Sequence, residues 1–304
     1  RRIFTHRVLI DDMSQVDLLL NRASAGSHQR ATRSDFRVFL ALGKNPGVEV
    51  ELAEGGHLYY QGLGFGIATT FYNKSGASAW DQSGVNTYVD AQHGKDYFPY
   101  VDIWYTDYEG TYYSFSVADA ATCITDTNSV IGWANTRFGT YGVTNPTLGI
   151  YTPNGAGGAT KGPTSIATAY WIWSPAQREV WRADNLACAD IQSAWDFICP
   201  EIYTYAVDQF AMKAEIFAQE KAAVGGTAKL IPMFQPTLSG VSCTAEQMYA
   251  VLEYAYGMPE VSGLILWSYF LDPSAAPIYY DDQDWMVGAQ QFMVDYGITK
   301  GTPF

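Results

Sequence analysis

The chain has 304 residues, of which 48% are hydrophobic, so it can bury a large core as two ordinary domains or as one barrel-sized domain. Its formal net charge is −13 and its Lys and Arg residues form no cluster, which argues against a nucleic-acid partner. No run of 18 apolar residues occurs, so no membrane span is predicted.

Aromatic residues make up 15% of the chain, including nine Trp and 22 Tyr, which is more than a core requires. We expect part of this excess to lie at the surface, where flat amphipathic rings stack on sugars, although such rings also fill ordinary cores. The four cysteines, at positions 123, 188, 199 and 243, show no C-x-x-C spacing, so no zinc site is predicted. No cofactor is expected. Cys199 lies in an apolar strand pattern and is interpreted as a small buried hydrophobe.

Strand patterns recur along the chain, and most are apolar runs rich in β-branched or aromatic residues that end at turn residues. The predicted strands cover residues 6–12, 36–42, 64–72, 100–110, 147–151, 196–203, 229–234 and 262–267. A further apolar run at 170–173 is either an extra strand or a loop anchor. A β-hairpin is predicted at 47–60, inserted after the second strand.

Helical patterns separate most of these strands and cover residues 16–20, 85–92, 118–135, 186–195, 208–223, 244–256 and 283–296. Thr244 begins a capping pattern, and Gly225-Gly226 ends the helix before it. Alternation of strand and helix, with strands apolar on both faces, indicates a parallel sheet covered by helices. We therefore predict an α/β fold, a (β/α)8 TIM-type barrel with the small hairpin insertion, in which residues 1–304 form a single catalytic domain.

Two carboxylates close the predicted fourth strand, whose final residues are Asp107-Tyr108-Glu109-Gly110. Side chains two residues apart on a strand point the same way, so Asp107 and Glu109 are expected to project together. Two acids this close cannot both ionise freely, and the one with the raised pKa becomes a candidate proton donor. The alternative is a solvated acidic turn after a strand.

In a barrel of this type the C-terminal ends of the strands meet at one rim, where active-site residues lie. The predicted strand ends bring together acids, phenols, an amide and an indole: Asp11, Asp12, Asp107, Glu109, Tyr151, Glu201, Tyr203, Gln235 and Trp267. No His, no G-x-S-x-G elbow and no Cys–His pair occurs among them, which disfavours serine-type and metal-type hydrolysis. Carboxylate chemistry at an aromatic rim remains, and glycoside hydrolysis is its leading case.

The strand ending in Asp107-Tyr108-Glu109 resembles the D-x-E strand of the chitinase and hyaluronidase families. Residues 148–151, 197–203 and 262–267 are similar to later hyaluronidase strands. The resemblance implies that Glu109 is the proton donor and that Asp107 orients an N-acetyl group, whose own oxygen is the nucleophile. It also implies that Tyr151 faces the sugar and that Trp267 floors the subsite.

Other roles stay open. Glu201 stands where hyaluronidases have Ser, and it is a nucleophile if its carboxyl lies about 5 Å from that of Glu109, a base at about 6.5–9.5 Å, or a ligand of a sugar hydroxyl. Asp11 and Asp12 bind hydroxyls or hold loops, and Tyr203 either stabilises charge or packs. Asp107 alternatively caps a helix, and Trp267 alternatively plugs the core.

The expected partner is a polysaccharide or oligosaccharide, with no membrane or metal involved. The start at Arg1-Arg2, without an apolar leader, is interpreted as that of a mature product or an excised domain, extracellular or associated with a cell surface or virion. A non-catalytic glycan-binding barrel, such as an adhesion module, is the alternative from another class. A small phosphorylated substrate is weakly suggested by the Gly-rich run at 155–162, which follows the wrong strand for the usual phosphate site.

Overall fold

The computed structural model describes residues 33–41, 60–74, 80–94, 98–108, 120–152, 174–187, 189–202, 210–211, 213–215, 218, 226–238, 241–267 and 283–299. The strand predicted at 6–12 and the apolar run at 170–173 lie outside these residues. So does the hairpin predicted at 47–60, except for Tyr60, which is helical.

The described strands follow the predicted ones closely and are joined mainly by parallel pairing. They are β1 (Arg37–Ala41), β2 (Gly66–Lys74), β3 (Ile103–Tyr108), β4 (Leu148–Thr152), β5 (Phe197–Ile202), β6 (Lys229–Leu230), β7 (Met233–Phe234), β8 (Thr237–Leu238), β9 (Val241–Ser242) and β10 (Gly263–Leu266). β8 and β9 form a separate antiparallel pair that was not predicted.

The parallel strands close into a ring, in the order β1, β2, β3, β4, β5, β7, β10 and back to β1. Arg37 pairs with Gly263 and Phe39 with Ile265, so no gap remains between the first and last strands. The predicted parallel α/β barrel is confirmed, with seven strand positions in the ring instead of eight. Among the described strands of the ring, the one that carries Asp107 is the third.

Residues 229–234 were predicted as one strand and form two short ones. β6 pairs with β5, and β7 pairs with both β5 and β10. Pro232 lies between them and has no N–H to donate, which interrupts the ladder. Its carbonyl still accepts a bond from Ile265 N at 2.9 Å, so the run bridges its two neighbours.

The described helices lie outside the ring: α1 (Gln82–His93), α2 (Ala120–Gly139), α3 (Pro175–Ala187), α4 (Ala189–Ala194), α5 (Ala245–Tyr256) and α6 (Asp284–Tyr296). The capping box between Thr244 and Gln247 is confirmed. The helix predicted at 186–195 is wrong in its start, because helical structure already begins at Pro175. None of the helices in the described ranges is both long and apolar enough to cross a membrane.

Strand alternation divides the core into an outer and an inner cluster. The outer cluster packs strands against helices, and the inner one fills the ring with side chains such as Phe39, Tyr105 and Phe197. Gly66 and Gly149 leave space for two aromatic side chains of the inner cluster. A Cβ at Gly66 would lie 2.5 Å from the Phe39 ring, and one at Gly149 would lie 2.3 Å from the Phe197 ring. The ring is thus a packed core and not a pore.

Carboxylates and one guanidinium join the strands where they begin. Asp102 accepts a bond from Ile67 N, and Asp196 accepts one from Leu148 N, both at 2.8 Å. Arg33 precedes β1 and donates to three carbonyls between α5 and β10, those of Tyr256, Met258 and Val261. These contacts hold the N-terminal end of the ring.

Candidate functional site

The opposite, C-terminal end of the ring collects the predicted site residues that the structure describes. Asp107 lies on β3, Tyr151 on β4 and Glu201 on β5, while Gln235 and Trp267 directly follow β7 and β10. Each occupies a position two residues beyond an inner-cluster residue or belongs to that cluster. These five positions therefore lie at the same end of the ring, and their roles in a site stay predictions.

Tyr151 and Glu201 are in direct contact. The Tyr151 phenol donates to Glu201 Oε2 at 2.8 Å. Tyr151 is in register with Cys199, which lies two residues before Glu201 on β5 and on the same side of the strand. The long Tyr151 side chain therefore reaches the Glu201 carboxylate. Tyr151 is only 4% exposed, whereas Glu201 is half-buried. A half-buried carboxylate with an aligned donor is held in one position at the rim.

Asp107 lies beside this pair in the sheet. Its Cα is in register with that of Tyr151, so β3, β4 and β5 carry three of the predicted residues on neighbouring strands. Glu109, Asp11 and Tyr203 lie outside the described residues, and their placement stays a prediction.

Gln235 and Trp267 follow β7 and β10, the next strands in the ring after β5. Gln235 is 2% exposed, so its amide is buried in this structure. Trp267 is half-buried and packs against the inner cluster, and its backbone N donates to Phe234 O at 2.8 Å. The bond continues the ladder beyond β10 and fixes the base of the indole side chain. Trp267 is therefore a partly exposed contact of the core, and its role as a stacking surface for a sugar stays a prediction.

Lys213 is a buried charged residue that the sequence did not single out. It lies in the segment predicted as the helix 208–223, whose described residues are helical, and it is 4% exposed. Burial lowers the pKa of its ammonium, and the Glu201 carboxylate acts in the opposite direction. Lys213 is three residues after Phe210, which is fully buried, so the two residues lie on one face of the helical segment.

Cys199 is buried inside the ring, as predicted, and Cys123 and Cys243 are buried as well. Cys243 is a free thiol. Burial raises the pKa of the Cys243 thiol to about 11, so little thiolate is present near neutral pH. Within the described residues no group of three or more His, Cys, Asp or Glu side chains is placed to hold a metal ion.

A cavity of about 610 Å³ opens at the other end of the ring. Its lining includes Leu148, Phe197 and Lys229, which begin their strands, together with Asn135 and Thr227. It therefore lies among the strand starts and is separate from the rim that carries Tyr151 and Glu201.

No protein-family model and no curated protein matches the chain. The chain is similar to two solved mannanase structures from Thermotoga petrophila. One is the endo-1,4-β-D-mannanase of strain RKU-1, at 12% identity and TM-score 0.45, covering 82% of this chain and 84% of that one. The other is an endo-β-1,4-mannanase, at 11% identity and TM-score 0.47, covering 79% of this chain and 60% of that one.

A third similar structure comes from Bacteroides thetaiotaomicron VPI-5482 and is described provisionally as an α-L-fucosidase. It has 8% identity and TM-score 0.44 and covers 90% of this chain and all of that one. None of the three is described as a hyaluronidase or a chitinase. Likenesses this distant do not bear on activity. The fold is therefore assigned from the strand pairings, and a function has to be inferred from the residues at the C-terminal rim.

Proposed function

We propose that the chain is a glycoside hydrolase that cuts a polysaccharide at the C-terminal rim of the barrel. The observation that carries this proposal is the 2.8 Å bond from Tyr151 to Glu201, which fixes a half-buried carboxylate at the end of the ring where barrel enzymes work. Trp267 adds an aromatic surface at the same rim, suited to the apolar face of a sugar.

Glu109 is the proton donor in this proposal, since the sequence places it two residues after Asp107, and alternation along a strand predicts the same side for both. It protonates the leaving oxygen as the glycosidic C–O bond breaks. Asp107 assists, either by steering a substrate group or by tuning the acidity of Glu109.

Two schemes differ in the second catalytic group. On an N-acetylhexosamine, the acetamido oxygen of the substrate is the nucleophile, and Asp107 with Tyr151 or Tyr203 holds that group. On a sugar without it, Glu201 is the second carboxylate, as nucleophile or as base. The contact with Tyr151 supports the second scheme, because it orients Glu201 in advance of any substrate.

Hydrolysis of N-acetylated and plain polysaccharides by the full chain tests the proposal, with Glu109→Gln and Glu201→Gln as variants. We expect Glu109→Gln to abolish turnover in either scheme. Glu201→Gln should leave substantial activity in the substrate-assisted scheme and almost none in the two-carboxylate scheme. Glycan binding without turnover by the unaltered chain would instead identify a non-catalytic glycan-binding barrel.

A further inference from the structure

A β-bulge interrupts β2 shortly before the strand reaches the rim. Thr70 is in register with Tyr105 of β3. The next pair joins Tyr72 to Thr106, so β2 uses one extra residue, Phe71, on a single step of β3. An extra residue reverses the alternation of the strand beyond it. The residues of β2 after Phe71 therefore occupy the opposite sides of the sheet from those that simple alternation predicts.

The residues around the bulge show this reversal in their packing. Thr70 stands beside Tyr105 of the inner cluster. Phe71 and Tyr72 are consecutive and both belong to the outer cluster, where alternation admits only one of two neighbours. The next inner position on β2 is consequently that of Asn73.

The same shift places Asn73 beside Asp107. The Cα of Asn73 is in register with that of Asp107, which is in turn in register with Tyr151 of the inner cluster. Three neighbouring strands thus carry an amide residue, an acid and a phenol at one level of the rim. Lys74 pairs with Tyr108 and takes the outer register position. Without the bulge, alternation would have given the inner position to Lys74.

Helix α1 holds the bulge from outside the ring. Gln92 Nε2 donates to the Thr70 carbonyl at 3.2 Å, at the point where the regular pairing is interrupted. The Tyr72 phenol donates to Asp81 Oδ2 and accepts from Asp81 N, both at 3.3 Å. Asp81 also caps α1, since its Oδ1 accepts from Gly84 N at 2.6 Å. The bulge is therefore part of the packing between α1 and the barrel.

We infer that Asn73 is a substrate-binding residue of the rim, brought beside Asp107 by the bulge, and that its amide forms a hydrogen bond with a sugar hydroxyl. This inference rests on the proposed function and adds a residue to it. A carboxamide both donates and accepts and carries no charge, so it binds a hydroxyl without changing the ionisation of nearby acids. A lysine in that position would favour the ionised form of those acids and would oppose the raised pKa that a proton donor requires.

Cysteine pairs in the full chain test the placement. Asn73→Cys/Asp107→Cys should form a disulfide on mild oxidation, because neighbouring strands lie about 4.8 Å apart and a disulfide joins Cα atoms about 4.4–6.8 Å apart. Lys74→Cys/Asp107→Cys is the matched control and should stay reduced, since its two positions lie on opposite sides of the sheet. Mass spectrometry of digested protein identifies the bonds. A disulfide in the control pair but not in the first pair would overturn the placement.

Hydrolysis and glycan binding test the role. In Asn73→Ala we expect KM and the Kd for glycan to rise about 3- to 10-fold with a smaller change in kcat, because one neutral hydrogen bond to the substrate is lost. Lys74→Ala should leave all three unchanged. Equal effects of the two variants, or an effect of Lys74→Ala alone, would contradict the inference. These single variants decide the question even if the cysteine pairs prevent folding.

The disulfide needs no turnover, which separates the inference from the proposed function. A disulfide between positions 73 and 107 in a chain that neither binds nor hydrolyses a glycan would refute the proposed function and leave the placement standing. A missing disulfide, or full activity of Asn73→Ala, in a chain that hydrolyses a glycan would refute only the role of Asn73.

Discussion

The Tyr151 phenol on β4 donates to the Glu201 carboxylate on β5, across a single strand boundary at the C-terminal end of the ring. The phenol is buried and the carboxylate is half-buried, so the bond is shielded in part from water. A shielded, charge-assisted bond is stronger than an exposed one, and its removal should be measurable.

Tyr151→Phe removes this bond and keeps the ring. If Glu201 takes part in hydrolysis, we expect kcat/KM to fall about 10- to 100-fold, since bonds to charged groups contribute about 1.5–3 kcal/mol. The acidic limb of the pH–rate profile should move to higher pH, because the ionised carboxyl has lost a donor. Tyr141→Phe is the control, as it deletes a 2.8 Å phenol bond to Asp90 between α1 and α2. An equal loss of activity in both variants would contradict the assignment.

Gly149→Ala should destabilise the barrel by about 1–3 kcal/mol, because the new Cβ would lie 2.3 Å from the Phe197 ring in the packed interior. Urea unfolding measures this change. Gly132→Ala is the control on α2, where a Cβ would meet nothing within 4 Å. There we expect a gain of about 0.5–1 kcal/mol from helix propensity. No loss of stability in Gly149→Ala would show that the interior has room for the added methyl group.

Arg33→Met should cost about 2 kcal/mol of unfolding free energy, since three carbonyls near the start of β10 lose a charged donor. The unfolding free energy of Arg33→Lys should lie between those of Arg33→Met and the unaltered chain, because one ammonium cannot reproduce the planar fork of the guanidinium. Chemical denaturation gives the ranking. Equal stability of the Met and Lys variants would argue against the carbonyl contacts as the cause.

Asp90 makes the folding stability of the outer helical layer depend on pH. The Arg137 guanidinium, bonded to Asp90 at 2.5 and 2.6 Å, holds the pKa of that carboxyl below its usual range. A carboxyl whose pKa is lower in the folded state stabilises the fold above its unfolded pKa of about 3.9. That stabilisation is lost as the pH falls through the lower, folded value.

Asp90→Asn should therefore lower the Tm by about 1–2 °C at neutral pH, a small effect because the Asp90 side chain is 39% exposed. The difference from the unaltered chain should shrink in acid and at high salt. Thermal scans across pH test this. Glu179→Gln, which removes the exposed pair with Arg182, should change the Tm very little. A difference that persists unchanged in acid would exclude the Asp90 carboxylate as its source.

Most of the ring was predictable because its signals are local. Each of these signals is contained in a few consecutive residues, as in the apolar runs of β1, β3, β4, β5 and β10 and the capping box at Thr244. Closure on seven positions was not predictable, because the pairing of Arg37 with Gly263 joins residues more than two hundred positions apart. The start of α3 was missed although its signal is present, with Ser174 before Pro175 at the first helical position.

The site was predicted in part for the same reason. Alternation along a strand placed Tyr151, Glu201 and Trp267 at strand ends, and the structure brings their strands together. Lys213 was missed because a lysine in a helix usually faces water, and its burial depends on how the helix docks. The bond between Tyr151 and Glu201 likewise depends on the stagger between β4 and β5, which no single strand encodes.

The ties made by Asp102, Asp196 and Arg33 all sit where strands begin, away from the rim. The chain segments that leave the far ends of β3, β4, β5 and β10 are not needed for those ties. Grafting foreign segments onto these exits should therefore be tolerated by the scaffold. Because the stabilising contacts lie at the strand starts, the segments at the C-terminal rim can change without loss of the fold. New specificities can therefore be selected at the rim.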